Sequence, residues 1–520
     1  KGNKTLPLTP KPPTRRYSTR VSTGKAYNCM ENYLLTRTKN TTIVIAIVAL
    51  LALAQQLKAQ TKYDFAIAGT WVTSENCNDL TVIPGVEGSV KYDAENKTLF
   101  LKNAKIDGGN ANAIYSTLEG LTIRVAGKNQ MRSDFTSTIQ FTQPMQIAGS
   151  GTLNVENTQG DAIYANATSL IIDACTLNAR GLNYGIVGED GKNNEKLTIK
   201  YATVTAEGKN IASIGCFKYL TLMGCKISQP TDADFDEELG GIGKDGKLLK
   251  EPITITPTTY QIWIAGKLIT LDNCNDLTTI PGVEGTVKFD PATRILTLEN
   301  ANISTNAHYG ILNFMDNVTI QLVGTNNITA QLSNTIYNND DCSLSVVGPN
   351  ATLNLHGAIE AKDKASRQAF QNHGSVTISQ CTIEANAGIN GFSFGEWKFD
   401  RCNIKVKGNG DDKYPFAGSM AYFTRIPLLE GCALKVPTGT HWKEFTDQYG
   451  TCYSLVDGSE KAITDWITIT TDPAYIDKHT IRTTKTTQNI YSIGGARLST
   501  ELNRLPKGLY IVNGRIVAKP

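Results

Sequence analysis

The chain contains many short segments in which hydrophobic and polar residues alternate. They include residues 121–125 (LTIRV), 153–155 (LNV), 318–322 (VTIQL) and 353–355 (LNL). Alternation with a period of two is typical of β-strands that bury one face. Glycine and asparagine separate these segments and indicate turns, for example at residues 126–129 and 323–326. No long segment after residue 59 has helical periodicity, so we predict an all-β fold.

One position in these strands recurs along the chain, and cysteine occupies it most often. Apolar alternation leads up to the position, and alternation resumes after it. The residues found there are Cys175, Ala202, Cys225, Cys381, Cys402 and Cys432. Free cysteine packs as a small hydrophobic residue, and alanine replaces it once in this position. We therefore interpret the position as a stack of small buried side chains.

This recurrence predicts a right-handed parallel β-helix, in which successive coils stack strand upon strand. The spacings of 27, 23, 21 and 30 residues vary because insertions enlarge loops while the strands keep their register. An antiparallel β-sandwich is the alternative. The segments before the recurring position, such as residues 170–172 (LII), have inward-facing hydrophobic residues on every coil, which favours the β-helix.

The chain also contains two copies of a whole module. Residues 76–93 and 273–290 match at fifteen of eighteen positions with a constant offset of 197 residues. This period is too long for a solenoid unit and indicates tandem modules. The matched segment and the strand pair after it precede the coils in each copy. We therefore predict N-terminal capping hairpins that cover the open end of each coil stack. The short junction near residues 257–259 predicts modules arranged end to end.

The predicted organisation has five parts. They are an upstream extension without a fold (1–29), a signal peptide (30–59), β-helix module 1 (60–257), β-helix module 2 (258–475), and a linker with a C-terminal β tail (476–520).

The signal peptide is predicted from Arg37 and Lys39, which follow Met30 and precede the apolar residues 43–54. As a helix this apolar run spans about 18 Å, less than the roughly 30 Å of a bilayer core. Cleavage and export are therefore favoured over a membrane anchor formed by uncleaved residues 42–59.

Charge and cysteine content narrow the function classes. Residues 1–59 have a net charge of +9, and the rest of the chain has −6, so the overall +3 conceals a mildly acidic body. Without a basic stripe we expect no nucleic-acid binding.

Ten cysteines follow residue 59, and in an exported protein they could form disulfides. The recurring position argues against this for five of them. Cys77 and Cys274 match between the copies, and each could pair locally.

Candidate catalytic and metal-binding residues do not recur between the modules. The acidic run 232–238 (DADFDEE) resembles the start of a calcium loop but lacks the glycine and glutamate that an EF-hand needs further on. We therefore interpret this run as a solvated loop and expect no cofactor, with a structural calcium site as the alternative. Two carboxylates could cleave a polysaccharide, with Asp161 and Asp173 as candidates. They align with Arg367 and Ser379 in the second copy, so the acids are not repeated.

Aromatic residues recur more regularly than acids. An aromatic residue recurs at one coil position, in the segments NAIYST, DAIYAN, NTIYNN and RQAFQN. Two further tyrosines lie in similar settings. The candidate binding residues are Tyr115, Tyr164, Tyr337 and Phe370, with Tyr184 and Tyr309. A row of rings could stack on sugar rings. The alternative is an aromatic stack that seals a corner of the coil.

The C-terminal segment has a different pattern. Residues 505–520 read LPKGLYIVNGRIVAKP, in which Asn513-Gly514 predicts a two-residue hairpin turn. This tail resembles the C-terminal sorting domain of type IX secretion substrates of Bacteroidetes. The resemblance implies contact with the secretion machinery and a location outside the cell or on its outer surface. A terminal hairpin that caps module 2 is the alternative.

The paired modules are similar to secreted β-helix proteins of gut and oral Bacteroidetes. In architecture they also resemble carbohydrate-binding β-helix proteins of plant-cell-wall degraders. With the export signals, the recurring aromatic residues and the lack of a repeated acid pair, we predict an exported, non-enzymatic surface protein that binds polysaccharide or a cell surface, and the likeness supports this by analogy. One alternative is a polysaccharide lyase or glycoside hydrolase on the same scaffold. Another is a structural adhesin that binds protein.

Overall fold

The structure, a computed structural model, describes residues 60–192, 195–359, 367–447, 450–472, 490–492, 497–498, 505–512 and 515–519. The predicted upstream extension, the signal peptide and the Asn513-Gly514 turn lie outside these residues. No helix within the described ranges is long and apolar enough to cross a membrane. Residues 60–63 and 72–76 form a small group of their own, in which Gln60 Nε2 donates to Thr73 Oγ1 (3.1 Å).

The remaining described residues of 64–472 form a β-solenoid of about 13 turns, which confirms the all-β, parallel β-helix prediction, and the described tail strands form a separate four-stranded sheet. Each complete coil contributes one strand to each of three stacked sheets, called here the first, second and third sheets. In module 1 the first-sheet strands are Ile114–Ser116, Ile139–Phe141, Ile163–Ala165, Tyr184–Val187 and Ala212–Gly215. The second-sheet strands are Leu121–Ala126, Met145–Ala148, Leu170–Asp173, Lys196–Lys200 and Tyr219–Met223. The third-sheet strands are Lys128–Ser133, Thr152–Asn157, Thr176–Gly181, Thr203–Gly208 and Cys225–Gln229.

Module 2 repeats this arrangement. Its first-sheet strands are Ile311–Asn313, Ile336–Asn338, Gln368–Asn372, Asn390–Ser393 and Met420–Ala421. Its second-sheet strands are Val318–Val323, Ser343–Val347, Ser375–Ser379, Glu396–Asp400 and Leu428–Glu430. Its third-sheet strands are Thr325–Ala330, Thr352–His356, Thr382–Ala387, Asn403–Gly408 and Cys432–Lys435. Alternate residues of these strands point inward, as in the alternating burial of Leu121–Ala126, and together they form the hydrophobic core.

Additional strands open and close each stack. In module 1 they are Lys62–Ile67, Thr70–Thr73, Val86–Asp93, Thr98–Asp107, Asp234–Asp236, Gly241–Lys244, Lys247–Leu248 and Ile253–Pro257. In module 2 they are Thr259–Ile264, Lys267–Thr270, Val283–Asp290, Ile295–Thr305, His441–Asp447, Gly450–Val456 and Ile467–Thr471. The tail contains Ile490–Ser492, Arg497–Leu498, Gly508–Val512 and Arg515–Lys519. Two short 3-10 helices are Leu80–Val82 and Leu277–Thr279.

The duplicated segment starts each coil stack, as the sequence predicts. Asp79 and Asp276 cap the two 3-10 helices by accepting backbone N–H bonds from Thr81 and Thr278. The hairpin strand Thr98–Asp107 then pairs with the second sheet along its first half and with the third sheet along its second half. One long strand therefore begins two sheets, and the capping hairpins are confirmed.

The recurring cysteine position lies inside the solenoid. Cys175, Cys381 and Cys402 are buried, and Ala202 is buried in the same stack. The thiol of Cys175 lies 3.8 Å from the carbonyl oxygen of Ile147, which belongs to the preceding coil. Burial raises the pKa of the Cys381 thiol to about 12, so this group stays protonated. No disulfide joins the ten cysteines of the described residues. The interpretation as a buried stack is confirmed for Cys175, Ala202, Cys381 and Cys402, whereas Cys225 and Cys432 on the last coils are half-buried.

The predicted end-to-end arrangement of the modules is wrong. Arg124 of module 1 lies 3.5 Å from the carboxylate of Asp341 in module 2. The guanidinium of Arg294 in module 2 donates to the carbonyl oxygen of Ala174 in module 1 (3.0 Å). These contacts join the first and third coils of module 1 to the second coil and the capping hairpin of module 2. The second module therefore lies alongside the first, because the short connection folds the chain back.

We expect Arg294 to contribute to packing between the modules in a way that its counterpart does not. Arg294 also donates to Asp316 O (2.8 Å), and Lys97, at the same place in module 1, donates to Glu119 O (3.1 Å). Arg294→Lys can keep this shared bond but lacks the second donor arm that reaches Ala174. We expect a loss of about 1–2 kcal/mol, seen as a lower urea midpoint.

The matched control is Lys97→Arg, which makes the reverse exchange in module 1 and should leave the urea midpoint nearly unchanged. Equal midpoints for Arg294→Lys and the wild type would show that the Ala174 contact does not stabilise the protein.

Candidate functional site

Three of the predicted tyrosines occupy equivalent outward positions of the first sheets. Tyr115 and Tyr164 both pair with Gln140, which lies on the coil between them. Tyr337 has the corresponding position in module 2, where it pairs with Leu312 and Gln371. Parallel strands are about 4.8 Å apart, so Tyr115 and Tyr164 are two coil spacings apart and their rings are not adjacent. These module 1 tyrosines therefore do not form a continuous row.

Phe370 does not share this position, and its alignment with the tyrosines is wrong. It pairs with Ile336 and Phe392, both of which face the core, and its side chain is fully buried. Gln371 pairs with Tyr337 instead. A register shift of one residue moves a side chain to the opposite face of a strand. Phe370 contacts Trp397 at 5.0 Å between ring centroids and belongs to the hydrophobic core.

The two tyrosines in similar settings lie beside different partners. The hydroxyl of Tyr184 is 3.8 Å from the sulfur of Cys216, and burial raises the pKa of Tyr184. The ring of Tyr309 contacts the ring of Tyr337 edge to face at 5.6 Å. Tyr309 therefore lies next to the aromatic residues of module 2, whereas Tyr184 is separate from them in module 1.

A continuous stack of rings runs along the first sheet of module 2, with one ring from each coil. We call it the aromatic row, and it consists of Phe314, Tyr337, His373, Phe394 and Tyr422. Successive centroids are 6.0, 5.4, 4.9 and 5.4 Å apart. The planes of His373 and Phe394 are 16° apart, and those of Phe394 and Tyr422 are 22° apart. Because the rings face one another, the row mainly stabilises one side of the solenoid.

The last two rings of the row stand on an unusual backbone. Phe394 and Tyr422 directly follow their strands and both have φ of 60°, in the left-handed region. Such a conformation costs a non-glycine residue about 1–3 kcal/mol and occurs often at functional sites. Cys216 has the same φ after the last first-sheet strand of module 1. The turn shape is thus shared between the modules, but the aromatic side chain is found in module 2.

A column of buried asparagines supports the turns from which the row projects. The amide of Asn313 donates to Asn338 (2.8 Å), and that of Asn338 donates to Asn372 (2.9 Å). All three side chains are at most 1% exposed. In module 1 the corresponding positions hold Ser116, Phe141 and Ala165. In the sequence the column is visible as a recurring asparagine, the first residue of the pairs Asn313-Phe314, Asn338-Asn339 and Asn372-His373. The alignment of the aromatic residues did not detect this recurrence.

A pocket of about 530 Å³ opens where the row ends, and we call it the terminal pocket. Its volume lies within the roughly 300–1,000 Å³ typical of ligand sites. The rings that line it are His373, Phe394, Tyr414, Phe416, Tyr422 and Phe445. The polar side chains that line it are Gln368, Gln371, Asn390, Thr446 and Asp447. Rings from three successive coils and from the closing strand His441–Asp447 thus converge with amides and a carboxylate.

The ionisable groups of the terminal pocket are mostly uncharged. Burial lowers the pKa of His373, and the carboxylate of Asp340, 3.9 Å away, opposes this only in part. The amide nitrogen of Gln371 lies 2.7 Å from Nε2 of His373, so the unprotonated imidazole accepts this bond. Burial and the nearby carboxylate of Asp447 raise the pKa of Tyr422 to about 12.

The candidate catalytic acids lie on different sheets. Asp161 precedes a first-sheet strand and lies 3.4 Å from Ser137 Oγ, whereas Asp173 ends a second-sheet strand next to Lys200. Burial raises the pKa of both carboxyls. In the acidic run, Asp232 forms an ion pair with Lys244. No group of three or more potential metal ligands occurs in the described part of the chain.

We expect Asn338→Ala to destabilise module 2 strongly. The change removes the acceptor of Asn313 and the donors to Asn372 and Cys342 O, all in a buried setting. We expect a loss of about 2–4 kcal/mol in the free energy of unfolding, measured with urea. Asn354→Ala is the control, because its amide pairs with Asn327 on the outer face and should cost less than about 1 kcal/mol. Similar losses for both variants would contradict a special role of the buried column.

The lowered pKa of His373 predicts acid sensitivity. An unfolded histidine titrates near pH 6.5, so the stability from the neutral imidazole is complete above that value. It falls as the pH drops through 6.5 toward the lower pKa of the folded state. His373→Phe keeps an aromatic ring that cannot be protonated. The urea midpoint of this variant should therefore fall less between pH 7.5 and 5 than that of the wild type. His356→Phe, on the exposed end of a third-sheet strand, should leave it unaltered. An unchanged slope in His373→Phe would refute the assignment.

Comparisons with known proteins do not assign this site. No family model, no curated protein and no solved structure matches the chain. The aromatic row and the terminal pocket are therefore the features from which a function can be inferred.

Proposed function

We propose that this protein is an exported, non-enzymatic surface protein that binds polysaccharide or a cell-surface glycan through the terminal pocket of module 2. The observation that carries the proposal is the convergence of six rings with amide, hydroxyl and carboxylate groups around one cavity. Sugars present apolar C–H faces and many hydroxyls, so aromatic surface beside hydrogen-bonding side chains suits them.

The role of the aromatic row differs from the one expected from the sequence. Its rings cover much of each other's faces, so the row is better suited to support than to sugar stacking along its length. Its C-terminal members, Phe394 and Tyr422, line the terminal pocket beside Phe445. Ligand contact is therefore proposed at the end of the row. Tyr115, Tyr164 and Tyr184 of module 1 are not part of this proposal.

Export and surface location are part of the same proposal. They are supported by the apolar residues 43–54 after basic residues and by the sorting-like sequence of the tail. In the tail, Gly508–Val512 pairs antiparallel with Arg515–Lys519, as the predicted hairpin requires. Secretion machinery is the proposed partner of this tail.

The second candidate function is cleavage of a polysaccharide. It is favoured by the raised pKa values of Asp161 and Asp173, since a carboxyl that stays protonated can act as a general acid. Against it, the two groups lie on different sheets, whereas a pair acting on one bond must face the same substrate. Release of reducing ends from a polysaccharide, abolished in Asp161→Asn, would favour this alternative. A structural adhesin would instead bind protein and no glycan.

The binding proposal predicts a loss of affinity when a ring of the terminal pocket is removed. Tyr414 is 50% exposed, so Tyr414→Ala removes contact surface with little effect on folding. We expect glycan affinity, measured by affinity electrophoresis and calorimetry, to fall by about 5–30-fold, or ~1–2 kcal/mol.

Tyr219→Ala is the matched control, because this tyrosine is 45% exposed on the second sheet of module 1, away from the pocket. Its affinity should equal that of the wild type. Equal losses in both variants, or no retention of the wild type on plant, mucin and bacterial glycans, would overturn the proposal.

A further inference from the structure

The charge of the terminal pocket differs from that of a site for acidic polymers. Of its described lining residues, Asp447 contributes a carboxylate, while His373 and Tyr422 are held in their neutral forms. The remaining polar lining groups are amides and hydroxyls. A bound uronate or sulfate would thus face the Asp447 carboxylate, and no lysine or arginine is among the described residues that line the pocket.

Two basic side chains close to lining residues of the pocket make other contacts. Lys443 lies over the ring of Phe416 at 5.1 Å, but its ammonium is 2.7 Å from the carboxylate of Glu460. The guanidinium of Arg367, the residue before Gln368, donates to the carbonyl oxygen of Gly388 (2.9 Å) and does not line the pocket. Both cations therefore contact other acceptors, and neither is among the described lining residues.

Asp447 lines the pocket and interacts with two neighbouring side chains. The thiol of Cys452 donates to its Oδ1 at 3.8 Å, and its charge contributes to the raised pKa of Tyr422, another lining residue. A carboxylate in this place accepts hydrogen bonds from ligand hydroxyls and repels ligand anions. The amides of Gln371 and Asn390 are held by Asn334 and Gln368, which fixes the polar wall.

From these observations we propose that the terminal pocket selects neutral sugar residues, N-acetylated ones included, and rejects uronic acids and sulfated sugars through Asp447. The proposal rests on the proposed glycan-binding function and adds the substrate class. The aromatic lining supplies contact with sugar C–H faces, and Asp447 supplies both a hydroxyl acceptor and the discrimination against anions.

The test uses neutral hexasaccharides and their partners oxidised to the carboxylate at C6, such as glucan with glucuronan, mannan with mannuronan and galactan with galacturonan. Binding to the purified full chain is measured by calorimetry at low and high salt. We expect at least one neutral member to bind, with its acidic partner weaker by about tenfold or more at low salt. High salt should narrow this ratio, since it screens the repulsion.

The variant Asp447→Asn keeps the shape of the side chain and removes its charge. We expect the ratio between the neutral and acidic partners to fall to about threefold or less. Glu119→Gln removes one exposed carboxylate of module 1 and should leave the ratio unchanged.

The outcomes separate the two proposals. Equal or tighter binding of the acidic partners, or an unchanged ratio in Asp447→Asn, overturns the selection of neutral sugars while glycan binding stands. Absence of binding to every neutral and acidic saccharide overturns the proposed function itself.

Discussion

The structure depends on the parallel hydrogen-bonded register between successive coils. Strands inside each stack pair in parallel with the strand one coil before and one coil after, so a given position forms a column along the solenoid. At the ends of the stacks, capping and closing strands pair antiparallel instead. A column that faces inward is buried on every coil, and a column that faces outward forms a line of neighbouring side chains. Stacked cysteines, buried asparagines and the aromatic row are three columns made by the same constraint.

Because the backbone fixes these columns, the two modules can differ in function while sharing a fold. The duplicated cap begins both stacks in the same way, and its capping aspartates have the same contacts. Yet the column that contains Asn338 and Asn372 in module 2 contains Phe141 and Ala165 in module 1. The amides stabilise the turns that carry His373 and its neighbours. The duplication thus supplied a scaffold, and divergence of a few columns created the candidate site in one copy.

Contacts between the modules follow the same logic. Lys97 and Arg294 occupy matching positions and bond to matching carbonyl oxygens, but the guanidinium reaches one further acceptor in the other module. Exchanging lysine for arginine at one repeated position is therefore sufficient to add a contact between the modules. Such contacts explain why a short linker is compatible with modules that lie alongside each other.

The sequence alone determined the β-helix, the repetition of the module, the caps and the buried cysteine column, because each depends on local alternation and on repetition. It placed Tyr337 and Tyr309 near the site but misassigned Phe370, since letters such as IYNN and AFQN do not reveal a one-residue difference in register. Only the tertiary structure brought Phe416, Phe445 and Asp447 to the end of the row. They come from a coil loop and a closing strand, and their proximity results from how these segments fold over the last coils.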